Sequence, residues 1–160
     1  MIFISLGSQK FQFNRVLEEM DRLIKEEYIQ CKVFAQIGYS TYIPKYYEYS
    51  KFLDKNEYLA KIENSSIVVT HGGTGSIINS VKKEKMVIGI PRLEKYGEHV
   101  DNHQLDIIEQ FAEAELIYAI KEMDELLTAL NKVESINFRK YQSNTENVIK
   151  LLEDYLIGIK

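Results

Sequence analysis

Three short runs hold most of the residues in this sequence that could do chemistry. The richest is His71-Gly72-Gly73-Thr74-Gly75-Ser76, which follows the β-branched stretch Ile67 to Thr70. An apolar pattern behind it predicts a helix from about Ser76 to Lys83. A buried strand that turns through small residues into a helix presents unpaired N–H groups and the positive end of a dipole, which suits a diphosphate. Glycines permit positive φ and let a backbone approach a ligand closely. Thr74 and Ser76 add hydroxyls, and His71 stands within reach of the same phosphates. The plainer alternative is a turn that only packs a helix on a strand. A dinucleotide site is a third reading, but Ile78 stands where its third glycine belongs and Glu94 lies beyond Pro91.

The second run, Gly7-Ser8-Gln9, ends the apolar stretch Ile2 to Leu6 and could offer donors across a cleft. Phe11 and Phe13 behind it read as packing residues. The third run follows Pro91 and includes Glu98-His99-Val100-Asp101-Asn102-His103-Gln104. Carboxylates and amides read sugar hydroxyls well, because they accept or donate in pairs. Asp101 or Asn102 could equally be a helix N-cap. His99 and His103 are four apart, a spacing compatible with a shared metal. They straddle the predicted helix start and have no nearby cysteine, so no metal is expected.

These runs need a scaffold. Short apolar runs alternate with amphipathic ones: strands at Ile2–Leu6, Val33–Ile37, Tyr46–Leu53, Ile67–Thr70, Met86–Ile90 and Leu116–Ile120. Helices are predicted at Asn14–Glu27, Asn56–Asn64, Ser76–Lys83, Asn102–Glu113, Met123–Leu130 and Asn144–Tyr155. Alternation of this kind predicts a Rossmann-like α/β domain: a parallel sheet of about six strands with helices on both faces. Ligands of such sheets sit beyond the strands' carboxyl ends, where the winding switches direction.

The chain has 160 residues, 45% of them hydrophobic and 28% charged, and a net charge of −4. That fits one soluble domain over 1–160, with the helix at about 144–156 packed on it. The charge balance argues against nucleic acid as a partner. No stretch approaches the roughly 20 apolar residues of a membrane span. The amino end lacks a signal-peptide pattern. Cys31 alone cannot form an internal disulfide. A cytoplasmic protein is expected.

Taken together, GSQ after the first strand, HGGTGS after the fourth and HVDNHQ after the fifth resemble the donor-binding, C-terminal domain of the GT-B glycosyltransferases of family 28. The resemblance covers about Met1 to Ile120. It is closest to small catalytic subunits of split enzymes: those of bacterial capsular and exopolysaccharide synthesis, and the soluble subunit of the eukaryotic two-subunit UDP-GlcNAc transferase. GSQKFQFNR, GYSTYIPKYYEYSKF, THGGTGSI and PRLEKYGEHVDNHQ carry the bacterial likeness.

The resemblance implies half of a GT-B fold and inverting transfer from a UDP-sugar, with galactose, glucose or glucuronic acid as the expected sugar. Gly7, Ser8, Gln9, His71, Gly72, Gly73, Thr74, Gly75 and Ser76 would hold the diphosphate. Asn79, with Glu98, would meet the ribose, although relatives often carry a carboxylate at the Asn79 position. Asp101, His103 and Gln104 would contact the sugar, and Phe52 or Leu53 the uracil. A lipid-linked saccharide would be the acceptor. It would be held by a membrane-associated partner, which would place this chain peripherally at the inner face of the cell membrane. The general base is expected on that partner, with His99 and Glu98 as candidates on this chain. Tyr39, Tyr42, Tyr46, Tyr47 and Tyr49 are a candidate docking surface or ordinary packing. A non-catalytic nucleotide-sugar-binding module is the alternative function.

Overall fold

The computed structural model describes residues 1–143. The helix expected at 144–156 lies outside the described residues. Strands β1 (Ile2–Ser5), β2 (Val33–Gln36), β3 (Glu48–Ser50), β4 (Ile67–His71), β5 (Met86–Ile90) and β6 (Tyr118–Ala119) form one sheet in the order β3-β2-β1-β4-β5-β6. Every neighbouring pair is parallel. The α-helices are α1 (Asn14–Lys25), α2 (Lys55–Glu63), α3 (Thr74–Val81), α4 (His103–Glu113) and α5 (Leu126–Val133). The Rossmann-like arrangement expected from the alternation is the one observed.

The period-2 geometry of a strand sorts the core into two layers. Ile2, Ile4, Val69 and Ile88 face α1 and α5 and pack on Leu17, Met20 and Leu130. Phe3, Val68 and Val87 face the other way and pack on Ile62 of α2, Ile77 of α3 and Ile108 of α4. The helix after β1 therefore covers one face and the helix after β4 the other. Because β1 and β4 are adjacent, their exit loops diverge and leave a crevice at the carboxyl edge.

Three elements differ from expectation, each for a local reason. β3 is shorter than Tyr46–Leu53 because buried Asp21 on α1 accepts from the N–H groups of Lys45 and Tyr46 and from Tyr42 Oη. That carboxylate bends the segment into a turn. β6 shrinks because Leu116 N–H donates to Phe111 O and closes the end of α4, with Glu115 in left-handed conformation. The segment from Met123 begins as a 3-10 turn before α5 starts at Leu126. The tyrosines also divide. Tyr42 and Tyr47 donate to Asp21 and to Leu17 O and pack on the core, whereas Tyr39, Tyr46 and Tyr49 are exposed.

Candidate functional site

The loops after β1 and β4 part over the sheet and open a cleft of about 330 Å³. Gly7 and Ser8 line one side, and Gly75, Ser76 and Asn79 line the other. Phe52 and Leu53 close a third side, just after β3. Residues predicted separately for diphosphate, ribose and base thus share one hollow. Asp54 and Tyr58 line it as well, and neither is singled out by the sequence. Asp54 is the N-cap of α2, where it accepts from Asn56 N–H and Glu57 N–H. Tyr58 Oη lies 3.0 Å from Ser5 Oγ on the floor. A D-x-x-E capping box at 54–57 is a readable start signal for α2, but nothing in it marks a ligand wall.

His71 anchors the site from below. It is buried, and its Nδ1 lies 3.3 Å from Ser5 O. A carbonyl only accepts, so Nδ1 carries the proton and Nε2 is left as a lone pair. Burial, and then the nearby Arg92 charge, push the imidazole down to about 4, so it is neutral near pH 7. The ring is wedged between two glycines. A Cβ on Gly7 would lie 2.6 Å from His71 Cε1, and one on Gly73 would lie 2.3 Å from Nε2. Gly7 also has φ +73°. Of the glycines in the His71–Ser76 run, none has positive φ, contrary to the conformational role expected for them. Gly73 makes room for His71, and Gly72 makes room for Gln104 Cβ, which its own Cβ would meet at 2.7 Å.

Gly75 behaves differently. A Cβ there would meet nothing within 4 Å. It faces the cleft in the first turn of α3, whose N-cap Gly73 supplies no side-chain cap. Ser76 N–H donates to Gly73 O, but the N–H groups of Thr74 and Gly75 have no partner among the described residues. Those donors and the empty volume beside Gly75 form a cradle for an anion.

The loop after β5 is arranged otherwise than the sequence suggests. Gln104 is buried, and its Oε1 accepts from Gly72 N–H at 3.0 Å and from Arg92 N–H at 3.1 Å. Its oxygen is therefore spent on the scaffold, and only its amide NH₂ remains for a sugar. The same bond occupies Gly72 N–H, which was expected to serve a diphosphate. Glu98 is buried as well. One of its oxygens accepts from Arg15 Nε at 2.8 Å and the other from Leu93 N–H at 3.0 Å. It lines a separate hollow with Arg15 and Tyr96. Both carboxylate oxygens are engaged away from the donor cleft, so this geometry fits neither the ribose role nor the general-base role expected of Glu98. It positions the loop instead. Leu93 and the backbone of Pro91 are tied in by the same group of residues, with Arg15 Nη2 donating to Pro91 O.

Arg92 is fully buried and donates through Nη2 to Leu6 O. Burial lowers its guanidinium to about 10, still charged at neutral pH. Nothing in the sequence marks it. It sits under the loop after β1 with Phe13, which is buried as expected. Phe11 is half-buried, and its ring lies against His99 at a centroid distance of 5.1 Å, tilted by 34°. His99 in turn joins Asp101 and His103 in a cluster outside the cleft walls, and Gln9 Oε1 meets His99 Nε2 at 3.2 Å. At Phe52 and Leu53, the residues expected to meet a uracil, Leu53 N–H already donates to Gln36 Oε1. The backbone groups left for a base there are the carbonyl of Leu53 and those of Phe52.

With this geometry in place, comparison with known proteins is decisive about kinship. Residues 1–156 match the model of the glycosyltransferase family 28 C-terminal domain. The chain belongs to that family. Among curated relatives, the UDP-N-acetylglucosamine transferase subunit ALG13 of Candida albicans is 33% identical over 110 residues, which is 68% of this chain and 30% of that protein. The subunit of the same name from Kluyveromyces lactis is 33% identical over 85 residues, 52% of this chain and 41% of the relative. The chain thus spans well under half the length of these relatives.

Solved structures agree on the fold. The glycosyltransferase of kitacinnamycin superposes with TM-score 0.65 at 20% identity, covering 84% of this chain and 34% of that one. The solution structure of ALG13 gives TM-score 0.57 at 16% identity over 94% of this chain and 93% of its own. Acinetobacter baumannii MurG gives 0.56 at 13% identity, covering 82% and 41%. This family 28 domain therefore has the architecture of one half of a GT-B glycosyltransferase, as its motifs imply. Among the described residues no helix is long and apolar enough to cross a membrane.

Proposed function

We propose that this family 28 domain is the donor half of an inverting UDP-sugar transferase, completed by a second chain that holds the acceptor. The single observation that supports it most is the cleft at the β1/β4 switch point. It gathers Gly7, Ser8, Ser76, Asn79, Phe52 and Leu53 around an uncapped helix start. In this reading the uracil lies against Phe52 and Leu53 and the ribose against Asn79. The diphosphate sits between Ser8 and the free N–H groups of Thr74 and Gly75. The sugar extends toward His103 and the amide NH₂ of Gln104. Asp101 and Gln9, already engaged with the histidines, flank it.

Departure of UDP builds negative charge on the diphosphate. The helix-start N–H groups and the hydroxyls of Thr74 and Ser76 are fixed before the reaction, so they stabilise that charge without reorganising. The loss of one such donor typically raises a barrier by about 2.7–4 kcal/mol. His71 is neutral with its lone pair at Nε2. An arriving diphosphate favours its protonated form, which then donates to a phosphate oxygen. The attacking hydroxyl needs a base. Glu98 is locked in its ion pair, and His99 is nearly buried with Nε2 on Gln9 and Nδ1 turned to Asp101, so this reading gives the base to the second chain. The relatives' name, a transferase subunit, accords with this division. The motif resemblance favours a lipid-linked saccharide acceptor in capsular or exopolysaccharide assembly, with the second chain at the membrane.

Calorimetric titration with UDP-glucose, UDP-galactose, UDP-glucuronic acid and UDP-N-acetylglucosamine tests the reading. At least one should bind, with UDP competing and His71→Ala weakening it at least tenfold. Binding of NAD without any uridine nucleotide would overturn it. Asn79 in place of a carboxylate keeps a binding-only module in view. Nucleotide-sugar binding with no transfer in the presence of the partner's membranes would favour that module.

A further inference from the structure

We propose that His99, Asp101 and His103 form a site for a borderline divalent cation such as Zn²⁺, set between the loops that follow β1 and β5. One potential ligand atom from each lies within 4.8 Å of the other two. From the sequence, the two histidines lack a third ligand. The structure supplies it by folding the Asp101 carboxylate between the rings.

His99 is the informative member. Its Nε2 lies 3.2 Å from Gln9 Oε1. An amide oxygen only accepts, so this contact holds the ring proton on Nε2 and leaves Nδ1 a lone pair. The Phe11 ring lies against the imidazole, tilted by 34° with centroids 5.1 Å apart. The His99 side chain is only 8% exposed, and Nδ1 lies 3.2 Å from Asp101 Oδ1. Yet Nδ1 has no hydrogen-bond partner among the described residues. A buried lone pair beside a carboxylate oxygen is unfavourable unless positive charge lies between them. The two atoms are close without the alignment of a hydrogen bond. That is the arrangement of two donors aimed at a common third point.

His103 Nδ1 converges on the same Asp101 oxygen, and its ring centroid lies 4.6 Å from that of His99. His103 N–H also donates to Asp101 Oδ1 at 3.1 Å, which holds the carboxylate at the start of α4. Two imidazoles and one carboxylate suit Zn²⁺ and its neighbours, whereas Mg²⁺ and Ca²⁺ prefer oxygen throughout. Three protein ligands leave a coordination position open to water or a substrate oxygen. Gln9 is the outer partner that sets the tautomer and ring orientation of a ligating histidine. A bound cation would tie the loop after β1, through Gln9, to the loop after β5.

The test uses metal-stripped protein without nucleotide. Zn²⁺ is titrated by calorimetry, and Co²⁺ by its visible absorption. A single saturable equivalent is expected. Asp101→Asn and His103→Ala should each weaken it at least tenfold, and Gln9→Ala by about 10–100-fold. Asp101 and His103 are both exposed, and melting curves without metal will report that their variants fold. Zn²⁺ should raise the melting temperature of the wild type only. No saturable uptake, or uptake unchanged in the Asp101→Asn/His103→Ala double variant, would overturn the proposal. UDP-sugar binding is measured separately in EDTA, so failure here leaves the donor reading standing, and the reverse also holds.

Discussion

The loop after β4 and the loop after β5 stand side by side at the same edge of the sheet, and they are built on opposite plans. The first is made of backbone: Gly73 clears space for His71, Gly75 faces an empty volume, and two N–H groups have no partner among the described residues. The second is made of side chains that mostly satisfy one another, with His99 Nδ1 the exception. Gln104 bonds Gly72 and Arg92, Glu98 bonds Arg15 and Leu93, and Asp101 draws in two histidines. This difference is what the proposed donor reading requires: the β4 loop offers unpaired backbone to a diphosphate, while most of the β5 loop is scaffolding that holds it in place.

Substitutions can break this contrast, and the largest effect on UDP binding is expected at Gly73. Gly73→Ala drives a methyl to within 2.3 Å of His71 Nε2. Overpacking of this kind costs about 1–3 kcal/mol, and UDP affinity should fall more than a hundredfold as the ring is displaced. Chemical denaturation and calorimetry read the two effects.

Gln104→Ala comes next. It leaves the N–H groups of Gly72 and Arg92 buried without an acceptor, at roughly 1–3 kcal/mol for each group stranded. Its denaturation midpoint should drop at unchanged slope.

A pH series probes His71 with a smaller change. Its folded-state value, about 4, lies below the ordinary 6.5. Between those values the unfolded chain binds more protons, so stability rises with pH. The contribution is complete above about pH 6.5 and is lost as pH falls toward 4. His71→Gln should flatten that part of the stability profile.

Gly75→Ala should change stability least, by about 1 kcal/mol or less and toward greater stability, because alanine favours a helix. It should nevertheless weaken UDP at least tenfold by filling the cradle. Equal loss of stability in Gly73→Ala and Gly75→Ala would erase the distinction between the two glycines.

The same contrast explains what the sequence makes legible. Strand and helix positions follow from local apolar periodicity, and the strand-turn-helix at His71–Ser76 is a continuous run, so the sheet and the turn into α3 are readable. Glu98 is not, because its partner Arg15 lies 83 positions away. A carboxylate in a polar loop looks free until the fold brings the guanidinium to it. Gln9 and His99 are 90 positions apart, which hides the outer contact of the histidine cluster. The glycines show a subtler limit. Their number marks a close approach, but only the packed structure separates Gly73, which yields to the protein's own histidine, from Gly75, which yields to nothing present.

Backbone amide NMR during a UDP titration tests the central claim most directly. The account predicts that the largest shifts fall on Thr74, Gly75 and Ser8, while Gly72, already bonded to Gln104, moves little. Saturation with UDP that leaves residues 74–76 unmoved, or that shifts mainly the loop at 92–104, would contradict it.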